Sequence, residues 1–169
     1  VSYVGELGYE IYVSSDMARH VFAQLCDAGK EFDMQLAGMH ALDSCRIEKA
    51  FRHFGHDISD EDTPVEAGMS FVCAMSKDIK FIGYDAIARQ KEQRPLSKRM
   101  VQFQLQDPDT ILYHHEPIYR DNQIVGHLTS GAYGHALGAS VGMGYVHSDA
   151  GVNREYLEAG RWEILVGTE

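Results

Sequence analysis

Several side chains in this chain are of types that do chemistry, and their spacing decides which chemistry is open to them. His53, His56 and Asp57 form an H-x-x-H-D run in a protein with nine histidines. As a metal site the run is poor, because the third ligand would adjoin the second, no cysteine lies near, and the stretch reads as a connector. A solvated or hydrogen-bonded loop is the reading taken, and His114-His115-Glu116 reads as an exposed turn. Cys26, Cys45 and Cys73 are odd in number, widely spaced and form no C-x-x-C pair. Neither a disulfide framework nor a zinc site is indicated. No G-x-S-x-G occurs, so a hydrolase nucleophile has no support. What remains is an acidic and aromatic group at the start of the chain, Tyr3, Gly5, Glu6, Gly8 and Glu10, and the pair Asp43 and Arg46.

These groups must be held by secondary structure, and the patterns say which. Tyr9, Ile11 and Val13 alternate with Glu10 and Tyr12, as in a half-buried strand, so Glu10 points away from the apolar face. Ser15 or Asp16 can cap a helix with the apolar stripe Met17, Val21, Phe22 and Leu25, stopping at Gly29. A second helix is expected from Gly38 to about Ala50, with Asp43 one turn before Arg46, a pair that could be a surface ion pair. Thr63-Pro64-Val65-Glu66 has the capping-box pattern with proline at the first helical position. Phe71 to Met75 reads as a strand and Asp85 to Gln90 as a short helix. Lys91-Glu92-Gln93-Arg94-Pro95 reads as a linker, which places a boundary between units 1–94 and 95–169.

Downstream, Val101, Phe103 and Leu105 alternate with Gln102, Gln104 and Gln106. Asp121-Asn122 can turn a hairpin between Pro117–Arg120 and Gln123–Ser130, and further strands are expected at Ala139–Val146 and Arg161–Val166. The fold class is therefore α+β followed by a small antiparallel β-barrel or sandwich.

Composition narrows the functions. The 169 residues, 44% of them hydrophobic, can build a core, and no apolar run approaches the roughly 20 residues of a membrane helix. A formal charge of -10 would repel a phosphate backbone, so nucleic acid is not an expected partner. Cysteine usage fits a reducing compartment, cytoplasm or mitochondrial matrix. The chain opens on Val1-Ser2-Tyr3 within an expected strand, which reads as a piece of a longer protein.

Tyr3-Val4-Gly5-Glu6-Leu7-Gly8-Tyr9-Glu10-Ile11 resembles the Y-T-G-E-x-G-(F/V/Y)-E-I segment of the glycine cleavage T-protein family. It is joined by Ala41-Leu42-Asp43-Ser44-Cys45-Arg46-Ile47-Glu48-Lys49, by Asp57-Ile58, by Thr63-Pro64-Val65-Glu66-Ala67-Gly68, and by Phe81-Ile82-Gly83. Val125-Gly126-His127-Leu128-Thr129-Ser130-Gly131 and Gly142-Met143-Gly144-Tyr145-Val146 resemble the family's C-terminal barrel. Ile47-Glu48-Lys49-Ala50-Phe51-Arg52-His53 is similar to the I-E-K-G-Y-R-H-W of sarcosine and dimethylglycine dehydrogenases.

The resemblance implies a tetrahydrofolate-binding segment that passes on a one-carbon unit, released from a small N-methylated amino acid by an FAD-bearing upstream domain. This stretch lacks the flavin motif and the family's first folate subdomain, so alone it is expected to be inert. In the family Glu10 would bind the pterin, whose amide N–H and amino group are parallel donors that one carboxylate accepts together. Tyr3 would stack on the same wall, and Gly5 and Gly8 would let the backbone approach. The plain alternatives are an exposed strand glutamate, a half-buried tyrosine and turn glycines. His40 stands where the dehydrogenase branch has arginine, and Leu42 where T-proteins have theirs. Arginine fixes a carboxylate at any physiological pH and histidine only when protonated, so either affinity is reduced or Arg46 substitutes. The alternative function is a non-catalytic folate-binding regulatory or assembly module of the same family.

Overall fold

The computed structural model describes residues 3–167; Val1 and Ser2 of the opening motif lie outside the described residues. Four helices and five strands follow one another in the order α1 (Ser15–Ala28), α2 (Met39–Glu48), α3 (Tyr84–Glu92), β1 (Lys98–Gln104), β2 (Pro117–Arg120), β3 (Gln123–Gly134), β4 (Ala139–His147), α4 (Arg154–Ala159) and β5 (Trp162–Ile164). Short 3-10 turns occur at Gly29–Phe32 and Ser70–Val72.

The five strands form one antiparallel sheet in the order β1-β4-β3-β2-β5. β4 sits inside it and is buried from Ala139 to Val146, because one face carries the main core and the other receives α2. The Val101, Phe103 and Leu105 face of β1 packs with Leu112, Ile118, Leu128, Val146 and Val152, as the alternation requires. On the opposite face Ile47 of α2 meets Val141 and Met143. Asp121 and Asn122 both have positive φ, 52° and 66°, the conformation a two-residue hairpin needs, and the strands on either side pair as expected.

The barrel expectation holds in part. No ladder joins the edge strands β1 and β5, so the sheet is open, but it curls until Phe103 and Trp162 stand 5.5 Å apart. The edges meet through side chains rather than hydrogen bonds.

Two expected strands are absent. Residues 8–13 have no regular secondary structure, with Tyr9 and Tyr12 exposed, because no described strand lies beside them to supply a ladder. The stretch 71–75 begins inside a 3-10 turn instead, with Phe71 exposed. α1 forms where its stripe demands and is followed by Gly29, but Met17, Phe22 and Leu25 remain exposed. The capping box at Thr63 forms in full: the Thr63 N–H and hydroxyl donate to the Glu66 carboxylate at 3.1 and 2.8 Å, and the Glu66 N–H donates back to Thr63 Oγ1 at 3.2 Å. α3 runs on to Glu92, two residues into the expected linker. α4 was not expected; its signal was Asn153, whose side chain accepts from the Tyr156 N–H at 2.8 Å.

Candidate functional site

A cavity of about 630 Å³ opens where the N-terminal end of α2, the loop after it, the 111–114 loop and the middle of β3 come together. Its floor is a buried ion pair. Arg46, 2% exposed, donates through Nη1 to Asp57 Oδ2 at 2.6 Å, and the Asp57 side chain is fully buried. The same guanidinium donates to Asp43 at 3.0 Å, to the Phe51 carbonyl at 3.1 Å and to Ser130 Oγ at 2.9 Å. Asp57 in turn accepts from Thr129 Oγ1 and Ser130 Oγ, each at 2.6 Å, and from the His53 N–H at 2.8 Å. Burial pushes its carboxyl up, but the Ser130, Thr129 and His53 hydrogen bonds and the Arg46 charge outweigh that and hold it below the usual carboxylate range.

This network explains the local fold. It ties α2, the 53–57 loop and β3 together at one point. Two further contacts fix α2 on the sheet, Ser44 Oγ donating to the Tyr133 carbonyl at 2.6 Å and Gln102 donating to the Ile47 carbonyl at 2.7 Å. The Asp43 to Arg46 pair of the sequence is therefore real, but it is no surface pair: Arg46 is one of the largest buried side chains of the protein.

Around this floor stand aromatic rings. Tyr3 meets His53 edge-on at 5.8 Å and lies 5.8 Å from the Arg46 guanidinium. His53, His56 and His114 continue the row at 5.9 and 6.0 Å. The Tyr3 hydroxyl is buried and has no hydrogen-bond partner. Burial raises its pKa, against the lowering effect of Arg46, so at neutral pH it is a neutral O–H donor. His40 reaches the cavity from the first turn of α2.

The residues singled out in the sequence thus separate. His40 and Arg46 line the cavity, Tyr3 does not but touches His53 and Arg46, which do, and Arg46 is engaged there by protein partners on each of its nitrogens. Gly5 is needed for packing: with φ of 81°, its missing Cβ would lie 2.2 Å from the Cys45 carbonyl oxygen, so the opening segment rests on the backbone of α2. Gly8 is half-buried in the irregular stretch that follows. Glu10 lies farther along, exposed, accepting from the Tyr12 hydroxyl, and is not a wall of the cavity. Asp57 is turned into the core and away from a common point with His53 and His56. Sequence reasoning placed those two histidines in a connector; the loop is there, but it lines the cavity. Asp57, Thr129 and Ser130 carried no signal beyond their places in quoted motifs, since their side-chain partners are more than ten residues away.

Two family models match the chain: the GCVT N-terminal domain over residues 1–77, and the glycine cleavage T-protein C-terminal barrel domain over residues 98–168. The chain belongs to the glycine cleavage T-protein family. Among curated proteins it is 46% identical to 4-methylaminobutanoate oxidase (formaldehyde-forming) of Paenarthrobacter nicotinovorans over 92% of its length and 19% of that protein. It is 37% identical to the mitochondrial pyruvate dehydrogenase phosphatase regulatory subunit of Mus musculus, covering 97% of this chain and 20% of that one. Identity to human mitochondrial sarcosine dehydrogenase is 31%, over 97% and 18%. The crystal structure of glycine cleavage system aminomethyltransferase T from Bartonella henselae superposes with a TM-score of 0.74 at 26% identity, over 86% of this chain and 40% of that one. The chain spans about a fifth of the length of these three curated relatives. No helix among the described residues is long and apolar enough to cross a membrane.

Proposed function

We propose that this chain is the reduced-folate-binding part of a one-carbon transfer enzyme acting on N-methylated amino acids. The observation that carries the reading is a cavity of about 630 Å³ lined by His40, Arg46 and His53, with Tyr3, whose hydroxyl is buried and unpartnered, in ring contact with His53. A buried polar atom without a partner is costly, and a ligand supplying an acceptor there would relieve the cost. The cavity is of the size that small-molecule ligands occupy. Tetrahydrofolate, when bound, supplies the nitrogen that takes up the one-carbon unit. The chain's own part is to bind and orient: Tyr3 presents its ring and O–H, His40 stands at the cavity in the arginine's place, and Glu10 offers an exposed carboxylate to the paired donors of the pterin. Gly5 and Gly8 shape the segment that carries both residues, and Arg46 serves by holding the floor.

On this reading residues 1–94 belong to the folate-binding domain and 95–169 to the barrel. An upstream FAD domain of the longer protein, in cytoplasm or mitochondrial matrix, would oxidise the N-methyl group. A second reading, a regulatory module without turnover, is favoured by the likeness to the phosphatase regulatory subunit. Calorimetric titration of tetrahydrofolate into the full-length protein tests the first. Glu10→Gln should raise the dissociation constant about ten-fold to a hundred-fold, since glutamine accepts through one oxygen and turns a donor toward donors. Glu155→Gln, an exposed glutamate on α4, should leave it unchanged. No binding by the wild-type protein would overturn the folate-binding reading, and binding without one-carbon transfer would favour the second reading.

A further inference from the structure

A second cavity, of about 610 Å³, lies between the Val65–Ser70 turn, the Arg94–Leu96 segment, β1 and the start of α4. Its charge runs against that of the protein. The chain carries 25 acidic and 15 basic residues, yet three arginines, Arg94, Arg99 and Arg154, line this cavity and no aspartate or glutamate does. Among the described residues neither Arg94 nor Arg99 has an ion-pair or side-chain hydrogen-bond partner, and Arg154 is held only by Glu158 on the exposed face of α4. A fourth guanidinium stands behind the wall. Arg52 Nη2 is 3.0 Å from where a Gly68 Cβ would sit, its Nη1 donates to the Ala50 carbonyl and its Nε is buried without a partner, and among the described residues no carboxylate is in ion-pair contact with it, Asp57 acting on it only from farther off. Like charges left together and uncompensated in an acidic protein repel one another, and an anion between them removes the repulsion.

We propose that this cavity binds the phosphoryl group of a small phosphorylated molecule. Guanidinium forks match the oxygens of a phosphoryl group and hold it through paired charge-assisted hydrogen bonds. A dianion with three terminal oxygens can engage several forks at once, whereas a single carboxylate is satisfied by one. Neutral donors complete the lining: the Ser70 hydroxyl, and the Asn153 amide, whose oxygen is engaged by the Tyr156 N–H and whose NH2 is free to donate. Val65, Pro95, Leu96 and Val152 give the cavity an apolar wall against which the organic part of the ligand can lie. The site lies outside the cavity at His40 and Arg46 and shares no lining residue with it.

Calorimetric titration of the full-length protein with inorganic phosphate, phenyl phosphate and succinate, at constant ionic strength, tests the proposal. Phenyl phosphate should bind saturably at one site, more tightly than inorganic phosphate because of the apolar wall. Arg94→Gln and Arg99→Gln should each raise its dissociation constant about ten-fold, while Lys30→Gln on the far N-terminal surface should not change it. Arg94 is exposed, so its variant should melt with the wild type, which separates lost binding from lost folding. Absence of saturable binding, a change of less than about two-fold in both arginine variants, or succinate binding as well as phenyl phosphate, would each overturn the assignment.

Discussion

Replacing Asp57 by asparagine perturbs the network under the cavity with almost no change of shape. In the native protein one carboxylate oxygen accepts from Thr129 and Ser130 and the other from Arg46 and the His53 N–H. With its NH2 toward Arg46 and the His53 N–H a donor faces donors, and with its NH2 toward Thr129 and Ser130 those hydroxyls must turn from donating to accepting; in either case the charge of an arginine 2% exposed loses its buried counter-ion. Breaking a buried pair by removing one partner costs about 3 to 5 kcal/mol. Asp43, whose side chain is 40% exposed, stays beside Nε and compensates part of the charge, so the low end is expected, about 3 kcal/mol. At roughly 2 to 4 °C per kcal/mol for a protein of this size, the melting temperature should fall by about 6 to 12 °C. Urea denaturation of wild type and variant, with Asp43→Asn as the half-exposed control at about 0 to 1 kcal/mol, measures it. The double variant Arg46→Met with Asp57→Leu, which removes both charges, should lose less than Asp57→Asn alone. A loss below about 1 kcal/mol in Asp57→Asn would refute the view that this pair holds the site's walls together.

Gly5→Ala should destabilise by about 2 kcal/mol or more, because its Cβ would enter the Cys45 carbonyl and φ is 81°; a melt unchanged from wild type would refute the docking of the opening segment on α2. Thr63→Ala should cost about 1 kcal/mol by removing the capping box, read by the same urea titration. In acid, the Asp57 and Asp62 carboxyls should titrate below the unfolded values of about 4, so the stability they contribute is complete above that pH and is lost as pH falls through their folded values. Urea midpoints measured from pH 6 to pH 3 should decline steeply in wild type and less steeply in Asp57→Asn.

What the sequence made legible was what neighbours in sequence decide. The capping box, the hairpin at Asp121-Asn122, the alternation of β1 and the periodicity of α2 each depend on residues within a few positions of one another, and each formed. The stretch 9–13 alternates and 71–75 is an apolar run, but neither has a strand beside it, and a local pattern without a partner does not make a ladder. The site was legible only through its motifs. Asp43 and Arg46 read as a surface pair because the residues that bury Arg46, Asp57 and Ser130, lie 11 and 84 positions away. The histidines at 53, 56 and 114 read as loop residues, which they are; the row they form from Tyr3 outward is a product of the tertiary fold.

The placement of Arg46 bears on how a ligand with an acidic group would be held here. An arginine with two carboxylates, a carbonyl and a hydroxyl as partners cannot turn toward a ligand without leaving Asp57 buried and unpaired, at a cost no single new ion pair at a wet cavity would offset. On the proposed reading it is therefore a poor substitute for the arginine that the resemblance places at position 40 or 42. What it does instead is keep three walls in register: α2 with His40, the loop with His53 and His56, and β3 with Ser130. Cavity groups held this way lose little freedom when a ligand enters, and that pre-organisation favours binding without adding a contact. The buried pair is thus a positioning element, and substitutions in it should act on the ligand through the geometry of Tyr3, His40 and His53 rather than through direct recognition.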